Sequence, residues 1–140
     1  MTNLPPQYGP PISLAEAKRI MDAAEREAVK NSWPMAIAIM DSTGHLVLFQ
    51  RLDQAQHGSV AVAIAKAETA VNFRRATKVF EDAITGGGIG LRLTTMPNII
   101  ALEGGLPILQ DGKVIGGIGV SGMQSSQDAE VARAGLAALE

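Results

Sequence analysis

The chain has no cysteine among its 140 residues. That absence removes disulfides, thiolate metal sites and a thiol nucleophile together. Aromatic residues make up 4% and histidines number two, so stacking platforms and imidazole clusters are scarce. Charge is modest as well: Asp, Glu, Lys and Arg total 19% with a net of −2, which provides no basic surface for nucleic acid or anionic lipid. Nucleic acid is not expected as a partner. No apolar run approaches the roughly 18 residues of a membrane span, and the start lacks a basic segment followed by an apolar one, so no membrane role and a cytoplasmic location are expected.

What is present is a hydrophobic share of 46% in a chain of one-domain size, enough to bury a core without covalent or metal staples. The stretch from Leu102 to Gly122 organises the rest. Two extended segments flank Asp111-Gly112, a dipeptide that takes the positive φ angles of a type I′ hairpin turn. In the second segment, alternation sends Val114, Gly116, Ile118 and Val120 to one face and Ile115, Gly117, Gly119 and Ser121 to the other. A sheet face almost bare of side chains must be approached closely, by a helix or by a ligand.

Residues 1–11 carry four of the seven prolines and read as an extended arm; residues 12–140 read as a single domain. Ser13-x-x-Glu16 has capping-box spacing for a first helix to about Lys30, with Leu14, Ala17, Ile20, Met21, Ala24 and Ala28 as its apolar stripe and Ile12 as a staple. Met35 to Met40 is apolar on both faces, as expected of an interior strand covered on both sides. Asp41 to Gly44 supplies a turn into a partner strand, His45 to Arg51. Ser59 is expected to cap a second helix, Val60 to Phe73, apolar on nearly all sides and therefore buried in the core or at a subunit contact. A short helix from Arg75 to Ile84, a flexible connection from Ile89 to Pro97, a strand over Asn98 to Leu102, the hairpin, and a last helix capped at Ser125 to Asp128 complete the chain. The order α-β-β-α-α-β-β-β-α, with hairpin links, implies an α+β domain: one five-stranded antiparallel sheet flanked by helices.

Several residues bear chemistry, each with a plainer reading beside it. Arg51 and Asp53 either bind a substrate or bridge to each other and pin the loop. Lys66, in the apolar helix, anchors a carboxylate or acts as a base if buried, or else runs its stem to solvent. Glu103 precedes Gly104-Gly105, where backbone can come near a small molecule and the carboxylate can serve as base or acceptor; capping a neighbouring helix is the alternative. His57 lies in a polar loop, Asp53 to His57, and is either functional or simply exposed, whereas His45 reads as a turn histidine at a sheet edge. Arg74 and Arg75 suit an anion, another subunit or a solvated face. Gly117 to Gly122 spells G-x-G-x-x-G, but it lies within a strand with no later strand to complete a βαβ unit, so it is not a dinucleotide site. No metal site is expected, because the histidines lack ligand spacing.

Trp33-Pro34 before a strand, Asp41-x-x-Gly44-His45-Leu46-Val47, Arg51-x-Asp53, Gly58-Ser59, Lys66-Ala67-x-Thr69-Ala70, Phe73, Glu103-Gly104-Gly105-x-Pro107-Ile108, and Val120-Ser121-Gly122 through Gln127-Asp128 together resemble the GlcG/HbpS-like family, which includes the C-terminal domain of PduO proteins. The resemblance implies a profilin-like or PAS-like topology and homo-oligomers, dimeric or higher. It also implies a connection with haem or with small-metabolite pathways. Haem requires an axial ligand. The histidines that bind haem in PduO-type members lie near the first helix, and residues 14–30 here contain none.

The reading is a small-molecule-binding protein whose ligand is a small acidic metabolite or a tetrapyrrole, held between the bare sheet face and the second helix. Arg51, Asp53, Lys66, Glu103, Gly104, Gly105, Gly117 and Gly119 are the expected lining. Two other classes compete: a cofactor-independent acid–base enzyme using Glu103, Lys66 or His57, and a structural assembly partner.

Overall fold

The doubly apolar run after Trp33-Pro34 is the centre of the sheet. In the computed structural model, which describes residues 4–140, β1 (Ala36–Asp41) lies between β2 (Leu46–Arg51) and β4 (Lys113–Ser121). The remaining strand, β3 (Gly105–Gln110), pairs with the far side of β4, and every pairing is antiparallel. Ile37 and Ile39 project into a core shared with α1 (Leu14–Lys30) and α4 (Ser125–Leu136), while Ala36, Ala38 and Met40 face α2 (Gly58–Phe73). A short α3 (Lys78–Thr85) and a 3₁₀ segment (Gly88–Thr95) connect α2 towards β3. Among the described residues no helix is long and apolar enough to cross a membrane.

Local chemistry accounts for most boundaries. Ser13 and Glu16 form the reciprocal capping box at the start of α1, and Ala17, Ile20, Met21, Ala24 and Ala28 are buried, though Leu14 is exposed. Asp111 (φ 53°) and Gly112 (φ 76°) make the expected left-handed turn between β3 and β4. The described part of the arm is tied down, whereas Met1 to Asn3 lie outside the described residues. The Val114 amide donates to the Gln7 carbonyl at 2.8 Å, the Tyr8 hydroxyl donates to the Val71 carbonyl at 2.6 Å, and Arg74 stacks over the Tyr8 ring.

The bare strip of β4 is filled by α2. A Cβ placed on Gly119 would lie 2.0 Å from the Ala63 carbonyl oxygen and 2.4 Å from the Ala67 amide; one on Gly117 would lie 2.6 Å from Val71 Cγ2. Ser121 ends the strip, its hydroxyl donating to that of buried Ser59 at 3.3 Å. The helix therefore runs antiparallel to β4, with Ala63, Ala67 and Val71 against the strand and backbone close to backbone. Lys66 closes the contact: its ammonium, fully enclosed, donates to the Val120 carbonyl at 2.9 Å and to Asp128 Oδ2 at 3.0 Å. The other Asp128 oxygen accepts the Met123 amide at 3.0 Å. Burial pushes the Asp128 carboxyl up, and the pull of Lys66 and of the amides of Met123 and Gly122 does not bring it back to its usual range.

Five corrections follow. The sheet has four strands among the described residues, not five, so the expected profilin-like or PAS-like order is not matched in full. Asn98 to Leu102 does not pair; Ile100 donates its amide to the Thr69 hydroxyl at 3.2 Å, so this stretch is held by α2 and not by a strand. The connection from Ile89 to Pro97, expected only as a flexible link, contains most of the 3₁₀ segment. Ser59 and Ser125 lie inside their helices: α2 begins after His57, which makes no side-chain cap, and α4 is capped by Gln124 with Gln127 while Asp128 turns inward. Finally, a bulge opposite Ile108 and Leu109 leaves Ile115 unpaired and turns it into the α1/α4 core, away from the glycine face.

Two outcomes test this packing. Gly119→Ala drives a methyl into helix backbone and should cost about 3 kcal/mol or more in denaturant unfolding, whereas Gly58, with open space at its Cβ, should tolerate alanine at nearly unchanged stability. Lys66→Met leaves Asp128 buried without its cation and should cost about 3–5 kcal/mol, most of it recovered when Asp128→Leu is added. The pH signature follows from the raised Asp128 carboxyl: the unfolded chain releases this proton at lower pH than the fold does, so its contribution is present below the ordinary carboxylate range and is lost as pH rises through the folded value. Unfolding of Lys66→Met measured from acid to neutral pH should show a steeper decline with rising pH than the parent.

Candidate functional site

The site residues expected on one wall fall into three places. Lys66, Gly104, Gly105, Gly117 and Gly119 belong to the closed seam between α2 and the sheet. The expected cleft there does not exist, because small residues on both elements let the backbones meet. Gly104, at φ 131°, is seated where a Cβ would strike Lys66 Nζ at 2.7 Å and the Val120 carbonyl at 2.8 Å. Gly105 exchanges hydrogen bonds with Thr77: its amide donates to the Thr77 hydroxyl at 2.9 Å, and the Thr77 amide donates to its carbonyl at 3.0 Å. The Glu-Gly-Gly sequence thus serves close packing at the start of β3.

Glu103 stands apart, at α3. Its amide donates to Glu81 Oε1 at 3.0 Å and its carboxylate lies 3.9 Å from the Lys78 ammonium. Lys78 is held above the usual lysine range by its hydrogen bond to Asp82, by the Asp82 charge and then by Glu103. Glu103 does not cap that helix, whose start has no side-chain cap, and its carboxylate instead lies beside Lys78. His45 is the turn histidine: Nδ1 is 2.7 Å from the Thr43 hydroxyl, and its amide donates to Asp41. Asp41 is partly desolvated, but the Thr43 hydroxyl and the amides of His45 and Thr43 outweigh that and hold its carboxyl below the usual range. Arg74 is occupied with the arm, through Tyr8 and the Pro6 carbonyl.

Arg51, Asp53 and His57 are the expected residues that come together. The register pairs Ala36 with both Arg51 and Ser121, so the end of β2, the start of β1 and the end of β4 lie at one edge of the sheet. Because α2 runs antiparallel to β4, its N-terminus arrives at the same edge. The loop between β2 and α2 closes over this meeting point: the Leu52 amide donates to the Met35 carbonyl at 2.9 Å, and Gln54 takes φ 70°. Arg51, Asp53, Gln54, Gln56 and His57, with buried Ala55 as the floor, line an open groove of about 790 Å³. No ion pair joins Arg51 to Asp53 among the described residues, so the guanidinium remains available to a ligand. The first turn of α2 carries no acidic residue and no side-chain cap, which leaves its positive dipole end facing this edge.

Two parts of the arrangement were not foreseen. Asp128 was read as a cap, and nothing in its local spacing connects it with Lys66, 62 positions away. A second groove of about 520 Å³ adjoins the first through Asp53 and Gln54, with Trp33, Pro34 and Leu52 in its wall. In the sequence Trp33-Pro34 marks only the entry to β1, although a lone tryptophan is a usable signal for a binding surface. Among the described residues no buried side-chain nitrogen or oxygen lacks a partner, so the interior holds no polar group waiting for a guest.

Comparison with known proteins agrees with this architecture. The family model described as haem degrading protein HbpS-like matches residues 12–137. GlcG of Escherichia coli K12 is 39% identical over 110 residues, covering 79% of this chain and 81% of GlcG. The crystal structure of the Klebsiella pneumoniae protein ORFY superposes with a TM-score of 0.85 at 31% identity, covering 99% of this chain and 95% of that one. The crystal structure of a PduOC:haem complex superposes with a TM-score of 0.83 at 29% identity, covering 91% and 94%. With the family model matched over residues 12–137 and relatives similar across most of the length, the chain belongs to the HbpS-like family.

Proposed function

We propose that this protein binds a small carboxylate-bearing metabolite in the groove between β2 and α2. The observation that carries the reading is the convergence of Arg51 and of His57, the residue just before α2, on one groove of about 790 Å³. A guanidinium offers two parallel donors to a carboxylate, and the positive end of the neighbouring helix dipole adds a favourable field. Asp53, Gln54 and Gln56 then supply acceptors and donors for hydroxyl or carbonyl groups elsewhere on the ligand. Arg51 ends β2 and His57 stands immediately before α2, while the loop between them supplies the adaptable contacts.

A tetrapyrrole is the second reading, favoured by the structural likeness to a protein solved with haem. The walls here do not fit it within one chain. A porphyrin needs two broad apolar faces and an axial donor, whereas this groove has one apolar residue, Ala55, and its single imidazole, His57, is exposed. Acid–base catalysis is the competing class; with Lys66 paired to Asp128 and Glu103 beside Lys78, it would fall to His57 and Asp53. Assembly belongs to the same reading: half-buried Val62 and Ile64 on α2 and exposed Ile89, Leu91 and Met96 suit a second copy of the chain in a cytoplasmic homo-oligomer.

Thermal unfolding with acetate, lactate and malate tests the binding claim. A ligand at one hundred times its Kd stabilises by about 2.7 kcal/mol, several degrees in a domain of this size. The expected result is a dose-dependent rise in Tm that Arg51→Gln reduces to a small fraction. No rise with any acid, or an equal rise in Arg51→Gln, would refute it. A Soret band in protein purified from its own host would give the site to the tetrapyrrole instead.

A further inference from the structure

We infer that the preferred ligand is a monocarboxylate with an apolar body, an aryl or branched-alkyl acid that lies across both grooves; this rests on the acid-binding role proposed above. The two grooves share Asp53 and Gln54 as a common ridge, so a molecule whose acid group sits at Arg51 has the second groove directly beside it. That second groove is of different character. Val29, Trp33, Pro34 and Leu52 form its apolar wall within about 520 Å³, enough for a ring or a short branched chain.

The apolar wall is supported from beneath and open above. Trp33 and Leu52 pack their inner sides on the α1/α4 core, while Val29 is 63% exposed on the outer turn of α1. Pro34 cannot donate a backbone hydrogen bond, and the Leu52 amide is already spent on the Met35 carbonyl at 2.9 Å. The wall therefore offers contact area and few donors, which rewards a hydrocarbon body and not a second polar group.

Charge sets the limit to one acid. Glu25 and Asp53 both border the second groove and no lysine, arginine or histidine does. Glu25 accepts a hydrogen bond from the Gln50 amide nitrogen, which holds its carboxylate at the edge of β2. A ligand with a second carboxylate on its body would bring that group against these two, while its first remained at Arg51. Dicarboxylates are thereby disfavoured relative to monocarboxylates of the same length.

The chain has a single tryptophan, so emission from Trp33 reports occupancy of the second groove separately from the heat of binding at the first. Full-length protein is titrated with propionate, 3-phenylpropionate and glutarate by calorimetry and by fluorescence. The expected result is that 3-phenylpropionate binds about tenfold or more tightly than propionate, shifts the emission of Trp33, and exceeds glutarate by at least as much. Val29→Glu, a change at an exposed position that leaves the core intact, should bring the ratio of 3-phenylpropionate to propionate affinity close to one. Equal affinities in the parent, an unmoved emission, or a preference for glutarate would overturn this inference while leaving acid binding standing. Failure of both monocarboxylates to bind would overturn the acid-binding reading itself, and this one with it.

Discussion

The structure depends on a backbone-to-backbone contact between α2 and β4. Two residues of strand advance about 6.6 Å, and four residues of helix advance about 6 Å, so an antiparallel pair can hold register over several steps. Here Gly117 meets Ala67 and Val71, Gly119 meets Ala63 and Ala67, and Ser121 meets Ser59. Glycine is required on the strand because the helix backbone and Val71 leave no room there for a Cβ, and alanine on the helix permits the close approach. The rest of the sheet follows from this contact: β1 pairs with the same strand, and its alanines face the same helix.

Such a seam buries little apolar side chain, so its location must be set by something more directional than hydrophobic contact. Lys66 and Asp128 supply that. The ammonium is anchored to the Val120 carbonyl next to the glycine strip and to a carboxylate at the start of α4, which connects a helix on one face of the sheet to a helix on the other around the end of β4. The cost is burial of two charges, visible in the raised Asp128 carboxyl. Buried pairs of this kind add little net stability compared with apolar replacements, and a role in fixing one arrangement is the better account of Lys66.

Much of this was legible wherever the signal is local. The capping box at Ser13, the type I′ turn at Asp111-Gly112 and the doubly covered β1 are each decided within a few residues, and each is found. The failures are non-local. Asn98 to Leu102 has strand composition, but its amide at Ile100 is satisfied by Thr69 on α2 and no sheet edge is offered to it. The parity of Ile115 was lost to a bulge, which alternation along a single strand does not reveal. The glycine face is a place of close approach, as its sequence implies, yet the choice between helix and guest turns on the alanines at 63 and 67. Their significance is visible only beside the strand they meet.

The position of the candidate site follows from the same economy. Among the described residues every buried side-chain nitrogen and oxygen is partnered, and the seam leaves no room at Gly117 or Gly119, so a ligand would gain little inside. Binding is then left to the margins, where strand ends and helix starts leave groups unpaired as a consequence of geometry. The edge shared by Arg51, Ala36, Ser121 and the first turn of α2 is such a margin, and the loop from Leu52 to His57 can change there without disturbing the seam. A family that holds this scaffold constant while altering that loop and the facing turn of α1 can bind different molecules on one fold. In this chain the facing turn presents Glu25 and Val29, and no histidine stands anywhere from residue 14 to residue 30. Ligand chemistry is therefore better argued from these side chains than from a fold shared with the PduOC:haem complex.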